Sequence, residues 1–219
     1  MDNILDRFGI YDFFGLLLPG MFFIVVLIFI GVPQISGFTY PNSEAFLVTT
    51  FVLISYICGT IMQEIASFFD DKMIKMRKSA RQKYLFDKEF TEIEQKELKL
   101  TVNQLLKKSV EYCPTYKEFE SIFFICKEHV ESKGNMKKAD KLDSIFAMSR
   151  DFIVCNFLLA IIVFIIMCKF KAFSFYNWVL FASLLISIFL FWRRANRYAK
   201  MRVRSIFRRY MACQKANKI

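Results

Sequence analysis

The chain of 219 residues carries 31 Lys and Arg against 20 Asp and Glu, a formal charge of +11, yet 55% of it is hydrophobic and 27 residues are Phe. A soluble domain of this length has too small a core for so much phenylalanine, which excludes an ordinary water-soluble globule. A mean hydropathy of +0.33 beside that basic excess selects a membrane protein with basic flanks.

Four charge-free runs occupy residues 13–43, 45–63, 152–168 and 172–192. A helix rises ~1.5 Å per residue, so crossing ~30 Å of hydrocarbon takes about 20 apolar residues. The last three runs fit that length, and the first holds a span plus an outer loop. It is too long for a signal peptide and no clear small-x-small cleavage site follows it. Lys and Arg set the orientation. Residues 33–43 have none, residues 71–150 have 18 against 13 Asp and Glu, and residues 193–219 have ten and no acid. Both termini and the middle segment are therefore expected in the cytoplasm. The expected fold is all-α and polytopic. A pair of transmembrane helices in residues 1–70 is followed by a cytoplasmic helical domain in 71–150. A second pair in 151–192 leads into a basic amphipathic tail helix in 193–219.

In chain order, residues 1–11 offer either a short interfacial helix, with Ile4, Leu5 and Phe8 on one face, or a loose terminus. Pro19 lacks an amide hydrogen and is expected to kink the first span about one turn in. Pro33, Gly37, Pro41 and Asn42 mark the outer loop, where Phe38 and Tyr40 suit the interface. In the second span Tyr56, Thr60 and Glu64 recur every four residues, with Gly59, Gln63 and Ser67 beside them, so a polar stripe is expected on one face. Ser55 and Gly59 form a small-x-x-x-small pair that permits close helix approach.

The middle segment predicts a helix over 71–86 continuing the second span, another over 90–110, and a third after Pro114. Tyr116, Phe119, Phe123, Cys126 and Val130 give that third helix an apolar stripe. It is expected to stop at Ser132-Lys133-Gly134-Asn135. A last helix from Met136 runs through Arg150 into the third span. In the tail, Arg194, Arg197, Arg204 and Arg208 project to one face, and Ala195, Ala199, Val203, Ile206 and Tyr210 to the other.

No phosphate-binding glycine loop, nucleophile elbow or kinase signature occurs, and one His with six scattered Cys offers no conventional zinc set. The sequence thus gives an enzyme no catalytic constellation. Glu64 reads either as an interfacial carboxylate or as a pore-mouth charge, with Arg150 as its ion-pair candidate. For the basic tail three readings compete: anchoring on anionic lipid, binding a nucleotide or oligonucleotide, and docking an acidic protein.

The motif Tyr11-Asp12-Phe13-Phe14-Gly15 with Pro19-Gly20, then Ser55-Tyr56 and Gly59, then the helical insert ending Phe146-Ala147-Met148-Ser149-Arg150, resembles small bacterial membrane proteins of anti-phage defence loci. In size and layout the chain is similar to the ion-channel effector of the Hailong system and to the membrane subunit of Kiwa. The resemblance implies a homo-oligomeric channel of the bacterial inner membrane. It also implies control by a nucleotide-derived signal made by a partner enzyme; separately, the residues lead us to expect no cofactor. The resemblance assigns no ligand residue; the residues themselves nominate the polar stripe of Tyr56, Gly59, Thr60, Gln63 and Glu64, or the first span kinked at Pro19, for the pore or gate, and Arg194, Arg197, Arg204 and Arg208 for a polyanion. The alternative is a non-conducting sensor or scaffold that recruits a soluble partner. A small transporter is disfavoured, because no inverted repeat is evident.

Overall fold

Every described element is helical. The computed structural model describes residues 13–30, 44–83, 92–107, 109, 115–133, 137–170 and 174–216. The expected N-terminal helix, the outer loop, Cys113 and the Gly134-Asn135 stop lie outside them. A π-helical turn, Phe13–Leu17, leads into α1, Leu18–Phe29. α2 spans Glu44–Phe69 and α3 spans Met76–Lys83. α4 is Glu92–Leu105, α5 Tyr116–Ser132, α6 Lys137–Phe170 and α7 Phe175–Ala216.

Three of these helices are long and apolar enough to cross a membrane: Glu44–Lys72, Lys138–Phe170 and Phe175–Gln214. The first apolar helix, Gly15–Phe29, is shorter. Pro19 falls in the first turn of α1, where its missing amide hydrogen costs least, and the wide turn lies directly before it. The kink expected at Pro19 is thus a change of helix type at the start of α1.

The chain divides into two compact units. The first comprises Met1–Met73 and Ser144–Ala195, the second Ile74–Asp143 and Asn196–Ile219. The tail, set apart in the sequence reading, falls with the middle segment, and α6 and α7 each contribute to both units.

In the first unit Cys155, Leu159, Ala160, Val163 and Met167 of α6 pack with Leu184 of α7, and Phe23, Val26 and Leu27 of α1 close over them. Met62 and Ala66 of α2 meet Val154 of α6 in a second cluster. Phe152 stacks on Phe191 at 4.7 Å between centroids, nearly parallel at 6°. Of the most apolar 18 residues of α6, 56% are buried, against 17% in α2 and 6% in α7. α6 is therefore the central helix, and α2 and α7 keep most of their apolar surface for another medium.

The second unit is built on α5. Thr115 caps it in a reciprocal capping box: Glu118 N donates to Thr115 Oγ1 and Thr115 N donates to the Glu118 carboxylate. Phe119, Phe123, Cys126 and Val130 are buried, as their helical spacing predicts, together with Ile122. Arg81 of α3 clamps Glu120 at 2.8 Å and lies over the Phe124 ring. The helix expected over 71–86 as one continuation of the second span is interrupted at Lys75, and its residues 84–86 lie outside the described ones. A π-helical turn, Asp70–Ile74, follows α2, and Lys75 adopts a left-handed φ of 54° before α3 starts. Its carbonyl then accepts from Ser79 N at 2.8 Å, so Lys75 ends one helix and caps the next. Lys107, also at φ 54°, stops α4 well short of residue 110 in the same left-handed conformation.

Candidate functional site

The residues singled out in the second span separate onto two faces of α2. Ser55 and Gly59 are buried and face α1. A Cβ added to Gly20 would fall on the Ser55 carbonyl oxygen and 2.8 Å from Gly59 N. One added to Gly59 would fall on the Leu16 carbonyl. The small-x-x-x-small pair thus brings two backbones together, a contact that any larger side chain would force apart. Pro19 belongs to the same seam and is buried there, its carbonyl accepting from the Cys155 thiol at 3.7 Å.

Tyr56, Thr60 and Glu64 form the opposite, exposed face, and Gln63 is half-buried beside them. Thr60 Oγ1 donates to the Tyr56 carbonyl at 2.9 Å, so this hydroxyl is satisfied by its own helix. Glu64 lies twenty residues beyond Glu44, or ~30 Å along α2, the depth at which hydrocarbon ends. Gly59 is therefore a packing residue, and the stripe that remains is Tyr56, Thr60 and Glu64.

Arg150 does not meet Glu64. Its Nε and Nη2 both donate to Asp151 Oδ1 at 3.2 Å, with side chains 5% and 0% exposed. Asn156, one turn further into the apolar run, is also buried and donates to the Phe152 carbonyl at 2.7 Å. Sequence reasoning passed over both Asp151 and Asn156. The signal available was an adjacent Arg-Asp pair at the head of a seventeen-residue apolar run, 152–168.

No family model, curated protein or solved structure matches this chain.

In the tail, Ala199, Val203, Ile206 and Tyr210 are buried as projected. Phe207 joins them, stacked on Phe119 and edge-on to Phe123, while Tyr210 meets His129 edge-on at 5.3 Å. Protein, rather than lipid, covers this apolar face. Arg197 and Arg208 are exposed and Arg204 is half-buried, while Arg202 pairs with Asp143 at 3.2 Å. Arg194, also exposed, belongs to the first unit. Burial pushes the Cys126 thiol beneath this face up from its ordinary 9.0 to about 12, so it is no nucleophile. Among the described residues, no group of three His, Cys, Asp or Glu could hold a metal ion.

Proposed function

We propose that this chain is one subunit of an oligomeric membrane conduit with four spans, the short helix over 13–29 being the first. The helical middle segment and both termini lie in the cytoplasm of a bacterial inner membrane. The observation that carries this reading is the exposed Tyr56–Thr60–Glu64 face of α2. A phenol and a hydroxyl within the span, leading to a carboxylate at its inner edge, form a face best covered by water or by other copies of the chain. In a ring of subunits, Glu64 then gives the inner mouth a girdle of negative charge and a preference for cations.

The cytoplasmic unit receives the signal. The tail helix packs its apolar side on α5 and keeps Arg197 and Arg208 exposed, a basic surface suited to an anion of the nucleotide or oligonucleotide kind. Such a ligand moves the gate only as far as it binds one state better than the other. The place of this conduit in anti-phage defence, where opening it dissipates ion gradients in an infected cell, rests on the sequence resemblance alone.

Induced expression in cells loaded with a potential-sensitive dye tests the proposal, with and without a phage trigger. The wild-type chain depolarises the cells under at least one condition, and Glu64→Gln changes the extent. A potential that stays intact under both conditions, with the chain present in the membrane fraction, rejects the conduit and leaves the scaffold.

A further inference from the structure

On α7, Ser183, Ile186, Ser187, Leu190, Phe191 and Arg194 recur at spacings of three and four and line one cavity of ≈ 400 Å³. The two serines are its smallest lining residues. Ser183 Oγ donates to the Leu180 carbonyl at 2.7 Å, so that hydroxyl is turned back onto the helix. Phe191 forms a fixed wall, held by its stacking on Phe152. The eleven-residue rise from Ser183 to Arg194 is ~16 Å, close to one leaflet of ~30 Å of hydrocarbon. At the polar end Arg193 and Arg194 are both exposed, and no acidic residue follows through residue 219.

We infer that this groove holds one acyl chain of an anionic phospholipid of the cytoplasmic leaflet, with its phosphate at Arg194. The groove is apolar for the length of a chain and basic where a phosphate would sit, so its charge pattern is complementary to a lipid. A second copy paired two-fold on the same face would instead set Arg194 against Arg194. The inference needs α7 to lie in a bilayer and makes no use of ion conduction.

The test is native mass spectrometry of the full chain released from detergent micelles containing phosphatidylglycerol or phosphatidylcholine. The wild type retains phosphatidylglycerol in preference. Arg194→Gln lowers that retention about fivefold, the weight of one basic residue at an anionic surface. Arg194→Lys restores it, and Ser187→Phe, which fills the groove from an accessible position, abolishes it. Equal retention of the two lipids overturns the inference. So does loss in Arg194→Gln without loss in Ser187→Phe, which would place the phosphate on the tail alone. A changed subunit number in Ser187→Phe with phosphatidylglycerol retention intact also overturns it, by assigning the groove to a second copy. Retention is read without ion flux, so failure here and failure of the conduit remain distinct.

Discussion

Phe207 of the tail lies on Phe119 of α5 with ring centroids 5.2 Å apart and planes 24° from parallel, and both side chains are 1% exposed. These rings close the core of the second unit. Phe207→Ala should destabilise that unit by about 3–5 kcal/mol, the usual loss for a buried aromatic. Thermal unfolding in detergent, read from the far-UV signal, measures it. The exposed Met201→Ala should move the transition far less.

Cys126 lies on the same buried stripe of α5 as Phe119 and is fully buried. An alkylating reagent at pH 8 should leave it unmodified in the native chain and label it in Phe207→Ala. The sign of its pH linkage follows from a folded pKa of about 12 above the ordinary 9.0. Stability is unaffected below 9.0 and falls as pH rises from there toward 12, because only the unfolded chain ionises the thiol easily.

Gly59 and Gly15 make opposite predictions. A Cβ at Gly59 meets the Leu16 backbone, whereas one at Gly15 meets nothing within 4 Å. Gly59→Ala should cost about 1–3 kcal/mol or more, because backbone cannot step aside as a side chain can. Gly15→Ala should be close to neutral. Fluorescence-detected gel filtration after a heat step separates the two.

Arg150→Met removes the guanidinium that donates to the buried Asp151 carboxylate and should cost about 3–5 kcal/mol. Removing the charge as well, in Arg150→Met with Asp151→Leu, should recover part of that loss. A double-mutant cycle in the same heat-step assay reads the coupling.

Much of this was legible in the sequence because helices impose local periods. The runs 45–63, 152–168 and 172–192 identify their helices by length, and Phe119, Phe123, Cys126 and Val130 identify a buried stripe by spacing. The tail projection separated Ala199, Val203, Ile206 and Tyr210 from the arginines correctly. What covers that face was not legible, since the pairing of Phe119 with Phe207 leaves no local trace. Lys75 and Lys107 in left-handed conformation carry no signal either, because lysine gives no hint of a positive φ. The capping box of Thr115 and Glu118 was present as T-x-x-E, beside a Pro114 that marked the same boundary. At Arg150 a distant carboxylate, Glu64, was favoured over the adjacent Asp151 that holds it.

The most direct measurement of the central claim is single-channel recording of the purified full chain in planar bilayers. Wild type is compared with Phe207→Glu, in which the tail helix is driven off α5. The account predicts discrete conductance steps from at least one of the two, with an amplitude that Glu64→Gln alters. Silent bilayers from both, with the chain verified in the membrane, would contradict it.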